Sequence, residues 1–288
     1  MASPPRAALT IDAESFAHTP AYRTASGTVP DPDVGPEQID RLVETLDAHE
    51  ATATWFVVGE LARDHPDRIE RVASKGHEIA SHTMTHRHLT ELDADRRRSE
   101  LRDSRESLEA LTGQPVAGFR APSFEIAADH FEMLAETGYR YDSSTVPCRS
   151  IPGWYGGEWS TQRPTTADTI QSGAPASIGE LPVAVMPGLR LPLTGTWLRF
   201  FGVRYTIAGM RWLARRGIAP VLYVHPWEFA DLPRVEGVPR RVYVRTGAWM
   251  WRALERILNT DFEFVTARSV LESETDAFEP GTPADADG

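Results

Sequence analysis

A single cysteine, Cys148, occurs in 288 residues, which excludes an intramolecular disulfide and a cysteine-built metal cluster. As a solitary thiol it is expected to be a packed residue rather than a nucleophile. Lysine is nearly missing too: of 30 basic residues only Lys75 is lysine, and the rest are arginine. Against 41 acidic residues the formal net charge is -11, and no basic stripe interrupts it. A nucleic-acid partner is therefore not expected. Acid excess with arginine in place of lysine suits a GC-rich genome and a high-salt cytoplasm, where net charge keeps a protein dispersed. No apolar run approaches the length of a membrane span; the longest, Pro220 to Val224, is strand-sized. Met1-Ala2-Ser3-Pro4-Pro5-Arg6 carries no apolar signal core ahead of the first strand. We expect a cytoplasmic protein that is not integral to a membrane. There is no Gly-rich phosphate loop and no repeat of roughly 20–50 residues.

What the chain does have is a regular alternation of short apolar runs and helical patterns. Ala7 to Ile11 reads as a buried strand ending at Asp12, and Thr52 to Val58 as a β-rich run ended by Gly59. Ile39, Leu42, Val43 and Leu46 recur at helical spacing behind Pro36. Leu61 to Ser74 reads as a helix interrupted at His65-Pro66, His77 to Ser81 as a strand, and Leu92 to Thr112 as the longest helix. Strands are expected at Val116 to Phe119, Leu181 to Met186, Val221 to Val224 and Phe262 to Val265. Such alternation argues for a parallel sheet or barrel. Asp12, His82, Arg120, Asp142 and His225 all fall at strand ends, as the catalytic groups of a barrel do. A single domain over 1–272 is expected, with an irregular insertion at about 147–200 and an acidic, disordered tail over 273–288.

The chemistry centres on Ser81-His82-Thr83-Met84-Thr85-His86. Two imidazoles four residues apart, on a helical turn or a tight loop, can share one divalent metal. Such pairs also occur by chance. A carboxylate added to two neutral imidazoles leaves open positions on an ion, which suits either hydrolysis of an amide-type C–N bond or iron-based oxygen chemistry. His77 is expected to be structural and His88 to lie on a rim. His18, His49, His65 and His130 carry no partner signal and default to the surface. Of the tryptophans, Trp227 beside His225 is the one expected in a pocket.

Thr10-Ile11-Asp12, Thr54-Trp55-Phe56-Val57, Gly76-His77-Glu78-Ile79-Ala80-Ser81-His82, Phe119-Arg120-Ala121-Pro122, Tyr141-Asp142-Ser143-Ser144 and Val224-His225-Pro226 together resemble the polysaccharide deacetylase family, the NodB-homology carbohydrate esterases. They occur in family order from about Leu9 to Val265. Glu180-Leu181-Pro182 and Leu191-Pro192 look like the cytoplasmic branch associated with exopolysaccharide clusters. The resemblance implies a distorted (β/α) barrel with about seven parallel strands and a metal-dependent deacetylase acting on an N-acetylated saccharide. It implies Asp12 as catalytic base, His82 and His86 as metal ligands, and Arg120 as the group orienting the base. His225 corresponds to the general acid and Asp142 to the carboxylate that tunes it, and zinc is the implied metal. One departure stands out: the family's usual second aspartate is Ala13 here. Glu14 is the next carboxylate and the candidate third ligand, brought to the side of Asp12 if the strand continues that far. The alternatives are an allantoinase-like cyclic amide hydrolase and a catalytically degenerate glycan-binding member.

Overall fold

A computed structural model describes residues 3–151 and 156–274. Nine strands share one sheet: β1 (Arg6–Ala13), β2 (Thr54–Val57), β3 (Glu78–Ser81), β4 (Gly118–Phe119), β5 (Tyr141–Asp142), β6 (Thr165–Thr166), β7 (Gly179–Glu180), β8 (Val221–Val224) and β9 (Glu263–Val265). Their order is β6-β7-β5-β4-β3-β2-β1-β8, with β9 pairing β1 beside this path. From β8 through β1 to β5 and β7 every pairing is parallel; only β6 runs antiparallel, against β7. The sheet curls into a half-barrel. A backbone bond reaches across its open side, from Ala184 N–H beyond β7 to the Val221 carbonyl of β8 at 2.9 Å. The expected distorted barrel is borne out.

The period of two along each strand sorts side chains into two layers. Ala7, Leu9, Ile11 and Ala13 of β1 join Trp55, Val57 and Ile79 in the large core beneath the helices. Ala8 faces the other way, into a smaller interior cluster with Phe56, Ala80 and Tyr141. Thr10 and Asp12 continue that interior row, so the same alternation that builds the core delivers Asp12 to the barrel mouth. Near the opposite end, burial holds the Glu78 carboxyl above its ordinary range, against hydrogen bonds from Thr54 (2.6 Å) and Tyr141 (2.9 Å).

Helices cover the outer face. The longest, Ala94–Thr112, starts where the Asp93 side chain accepts from Arg96 N–H and stops at Gly113 in the left-handed region (φ 66°). It buries Leu101, Ser104 and Leu108, and Ser104 Oγ lies 2.8 Å from Ser81 Oγ on β3. The expected helix over 61–74 is two helices, Gly59–Asp64 and Pro66–Ser74, because Pro66 cannot continue the first but can open the second. The strand expected at Leu181–Met186 is corrected: the ladder is at Gly179–Glu180, and beyond it only Val185 forms a bridge, to Pro192. Proline at 182 and 187 limits the donors available there. Within the stretch expected to be irregular, β6, β7 and the helix Gly195–Phe201 are regular. The expected tail falls almost wholly outside the described residues. Among the described residues no helix is long and apolar enough to cross a membrane.

Gly118 is demanded by packing, since a Cβ there would overlap the Tyr141 ring. Gly118→Ala should destabilise the fold by about 1–3 kcal/mol through overpacking. Thermal unfolding measures this; an unchanged midpoint would show that Tyr141 is free to move aside.

Candidate active site

β1 ends at Ala13, and the chain turns at once, with Glu14 N–H donating to the Asp12 carbonyl (2.9 Å). The turn leaves the Asp12 carboxylate in the interior row and swings Glu14 toward the loop after β3. Glu14 Oε2 faces His86 Nε2 at 2.5 Å, and Glu14 Oε1 accepts from the Trp227 indole N–H at 3.0 Å.

The two histidines sit on a loop and not on a helix. Thr83 (φ 66°) and His86 (φ 56°) both occupy the left-handed region, which is costly for residues with a Cβ. Neighbours hold that shape. Glu100, on the helix Ala94–Thr112, accepts from Met84 N–H and Thr85 N–H, both 2.9 Å, and from the Thr85 hydroxyl at 2.6 Å. Arg23 donates to the carbonyls of His86 (2.7 Å) and Thr85 (2.9 Å). His82 and His86 consequently stand edge to face with ring centroids 4.8 Å apart.

Glu14, His82 and His86 are all buried, and one donor atom from each lies within 4.8 Å of the others. Both imidazoles spend Nδ1 on a backbone carbonyl, His82 on Arg120 (2.7 Å) and His86 on His18 (3.1 Å). That fixes the tautomers and leaves both Nε2 lone pairs for a ligand, the usual support of a metal-binding histidine. Burial pushes the His82 imidazole down to about 4, so it stays neutral at ordinary pH. Burial alone would raise Glu14, but the imidazoles of His86, His225 and His82 around it hold its carboxyl well below the ordinary range. Glu14 Oε2 has no hydrogen-bond donor of its own. A buried carboxylate oxygen and two imidazole lone pairs this close together fit a divalent cation.

Beside this cluster, Arg120 is fully buried after β4 and donates to Asp12 Oδ1 (2.6 Å), the Thr10 hydroxyl (2.8 Å), and the Ser143 carbonyl and hydroxyl (both 2.9 Å). Across the mouth, His225 follows β8 with its ring stacked on Trp227, centroids 5.0 Å apart. Glu228 Oε2 accepts from His225 N–H (2.9 Å) and lies 3.2 Å from Nδ1, while Glu228 Oε1 accepts from Arg199 Nε at 2.8 Å. Burial favours the neutral imidazole, yet the Glu228 hydrogen bond and the charges of Glu228, Glu14 and Asp12 outweigh it and raise the His225 pKa. Glu228 is held below the ordinary carboxylate range, because Arg199 and His225 overcome its burial. Gly195 makes room for this pair, since a Cβ there would strike Glu228 Oε2.

The expected tuning of His225 by Asp142 is therefore corrected. Asp142 is buried on β5 and lies 3.2 Å from His130 Nε2, accepting also from the Ser144 hydroxyl at 2.6 Å. Burial and the Asp142 charge hold Glu180 well above its ordinary range. His130 is likewise not at the surface but 2 % exposed, and the carbonyl and ring of His18 flank His86. The residue that sequence reasoning missed is Glu228. Its signal was the three-residue spacing in His225-Pro226-Trp227-Glu228, which suits a reciprocal cap around a single turn. His77 is structural as expected, accepting from Ala53 N–H at 3.3 Å. His88 is at the rim, 3.0 Å from Ser123 Oγ. A cavity of about 510 Å³ opens over the cluster, walled in part by Phe124, Tyr223, Trp227 and Arg241.

Fold and donor set define a half-barrel with a candidate metal centre at its strand ends. Residues 6–141 match the polysaccharide deacetylase family, and residues 143–272 match a domain of unknown function (DUF3473). Over residues 6–141 the chain is thus similar to the polysaccharide deacetylase family, the NodB-homology carbohydrate esterases. It is 38 % identical over 73 residues to a chitooligosaccharide deacetylase of Rhizobium leguminosarum bv. trifolii, covering 25 % of this chain and 34 % of that protein. It is 30 % identical over 109 residues to a peptidoglycan-N-acetylglucosamine deacetylase of Bacillus cereus, covering 37 % and 40 % respectively. The chain thus spans between a third and two fifths of the length of these two relatives. A solved structure assigned to the polysaccharide deacetylases, from Mycobacterium smegmatis, superposes with a TM-score of 0.64 at 23 % identity over 98 % of both chains. The Puue allantoinase superposes with a TM-score of 0.61 at 17 % identity, over 93 % of this chain and 89 % of that one. At these identities the likenesses establish the fold.

Glu14→Gln should weaken binding of a divalent ion by more than the roughly 10–100-fold typical of losing an outer-shell partner, because an amide oxygen carries no charge. Asp12→Asn should leave metal content near wild type. Titration with zinc, read by elemental analysis, checks both; tighter binding by Glu14→Gln than by Asp12→Asn would reverse the two assignments.

Proposed function

We propose that this protein is a metal-dependent hydrolase that removes N-acetyl groups from an N-acetylated saccharide. The observation that carries the reading is one arrangement: an Arg120-held carboxylate, Asp12, and a Glu228-held imidazole, His225, flank the Glu14, His82 and His86 cluster. Glu14, His82 and His86 would hold the ion, for which zinc is our choice on the donor set. Such an ion, when bound, lowers the pKa of water and polarises a carbonyl oxygen.

The chain's own groups divide the remaining work. Asp12, fixed through Oδ1 by Arg120, takes the proton of the attacking water as general base. Glu228 favours the protonated form of His225, which as general acid gives its Nε2 proton to the departing amine. Glu228 itself is kept anionic by Arg199, so the acid and its support form a buried chain of alternating charge. Trp227 both walls the cavity and steadies Glu14 through its indole N–H. Phe124 and Tyr223, with centroids 5.2 Å apart, offer an aromatic wall against which a sugar ring can lie. Asp142 is read as a structural acid that braces the strand ends with His130 and Glu180. Both matched segments contribute strands to one sheet, which supports treating 1–272 as a single domain.

The allantoinase-like alternative differs in product: acetate release from N-acetylated chito-oligosaccharides against ring opening of cyclic ureides. Acetate release by the zinc-loaded protein, abolished in His82→Ala, supports the deacetylase. Ring opening without acetate release overturns it, and turnover of neither class would leave a binding protein.

The pH profile tests the acid. Because Glu228 raises the His225 pKa, Glu228→Gln should lower it and move the alkaline limb of kcat/KM toward lower pH. Asp142→Asn should leave that limb in place. A shift caused by Asp142→Asn alone would restore the pairing that the geometry replaces.

A further inference from the structure

A second recess lies apart from the catalytic mouth, between the helix Val203–Arg215 and the helix Ala248–Leu258. It has a volume of about 480 Å³ and is lined by Arg204, Arg245, Arg252 and Arg256, with Phe201 and Trp249. Four guanidinium groups around one recess are unexpected in a chain of net charge -11, and no carboxylate is among the lining residues. Arg245 is partly engaged, donating to the Arg199 carbonyl at 3.1 Å and lying over the Trp249 ring at 5.3 Å. Arg204, Arg252 and Arg256 are exposed and form no ion pair or side-chain hydrogen bond among the described residues. Like charges gathered without counter-charge repel one another, and a polyanion removes that cost. Arginine forks suit phosphate oxygens in particular, as they can donate in parallel pairs. Phe201, 51 % exposed, and Trp249 give the recess an apolar wall that a bare ion would not need.

We propose that this recess binds the phosphate or diphosphate group of a phosphorylated ligand. Its position relates it to the catalytic mouth. The helix Gly195–Phe201 has Thr196 and Arg199 in the catalytic cavity and Phe201 in the basic recess, and seven residues of helix span roughly 10 Å. A saccharide held at the mouth could reach the recess with a phosphorylated end; this link, unlike the binding itself, rests on the deacetylase reading. A soluble molecule and a lipid headgroup can each bear such a phosphate, and the recess chemistry is the same for both.

The test is a binding measurement that needs no turnover. Calorimetric titration of the full chain with inorganic diphosphate should show saturable one-to-one binding. The double variant Arg252→Ala/Arg256→Ala should weaken it by about tenfold or more, the loss expected for charge-assisted contacts. Arg215→Ala/Arg216→Ala, which removes the same charge from exposed positions outside the recess, should leave it nearly unchanged. A second arm uses phosphatidylcholine vesicles with and without phosphatidic acid. Co-sedimentation that requires phosphatidic acid and is lost in Arg252→Ala/Arg256→Ala assigns a membrane-borne phosphate; diphosphate binding without co-sedimentation assigns a soluble one. Absence of binding in both arms overturns the proposal, as does equal loss in the two double variants. Loss of acetate release with diphosphate binding intact would overturn the catalytic reading alone.

Discussion

Arg120 carries a full charge out of reach of water, and four hydrogen bonds account for where that charge goes. A buried guanidinium is tolerable only when its donors are satisfied and a counter-charge is close. Asp12 supplies the charge; Thr10 and Ser143 complete the set. These partners belong to β1 and to the strand end after β5, so one side chain clamps three strand ends of the half-barrel. The Arg120 carbonyl adds a fourth link by accepting from His82 Nδ1. Base, metal-facing imidazole and barrel mouth are thus fixed by a single residue, and removal of its charge would leave Asp12 buried and unpaired.

The loop carrying His82 and His86 shows the same economy at a strained place. Two residues with positive φ hold the imidazoles together, and the cost is offset by three hydrogen bonds to Glu100 and two from Arg23. Glu100 comes from the longest outer helix, whose own position depends on Leu101 and Leu108 in the core. Hydrophobic packing some distance from the site therefore sets the spacing of the donor atoms. The turn at Glu14 solves a related problem. With Ala13 where a second acid usually stands, the carboxylate comes from one residue later, and the strand has to stop so that Glu14 can reach the loop.

Much of this was legible in the residues themselves. Alternating short apolar runs implied the parallel sheet, because strands buried on both faces need continuous apolar stretches. Asp12, His82, Arg120 and His225 were readable as strand-end groups for the same reason. The short ladders were harder: β4, β5 and β7 have two residues each, too few for any periodicity to register. The partner of His225 was misread in a revealing way. Asp142 carries the family motif, but hydrogen-bonding distance is a property of the folded chain, and His130 occupies Asp142 while Glu228 is already wrapped around His225.

The sequence by itself determined the class of fold, the order of the strands' chemical groups and the donor types available for a metal, since these follow from periodicity and residue chemistry. Only the tertiary structure decided which carboxylate meets the imidazoles, which acid supports His225, and that four arginines from separate segments share one recess. The first and last of these join residues far apart in the chain, 72 positions from Glu14 to His86 and 52 from Arg204 to Arg256. Local preference carries no information about them; they are set when the strands close side by side and buried charges must find partners.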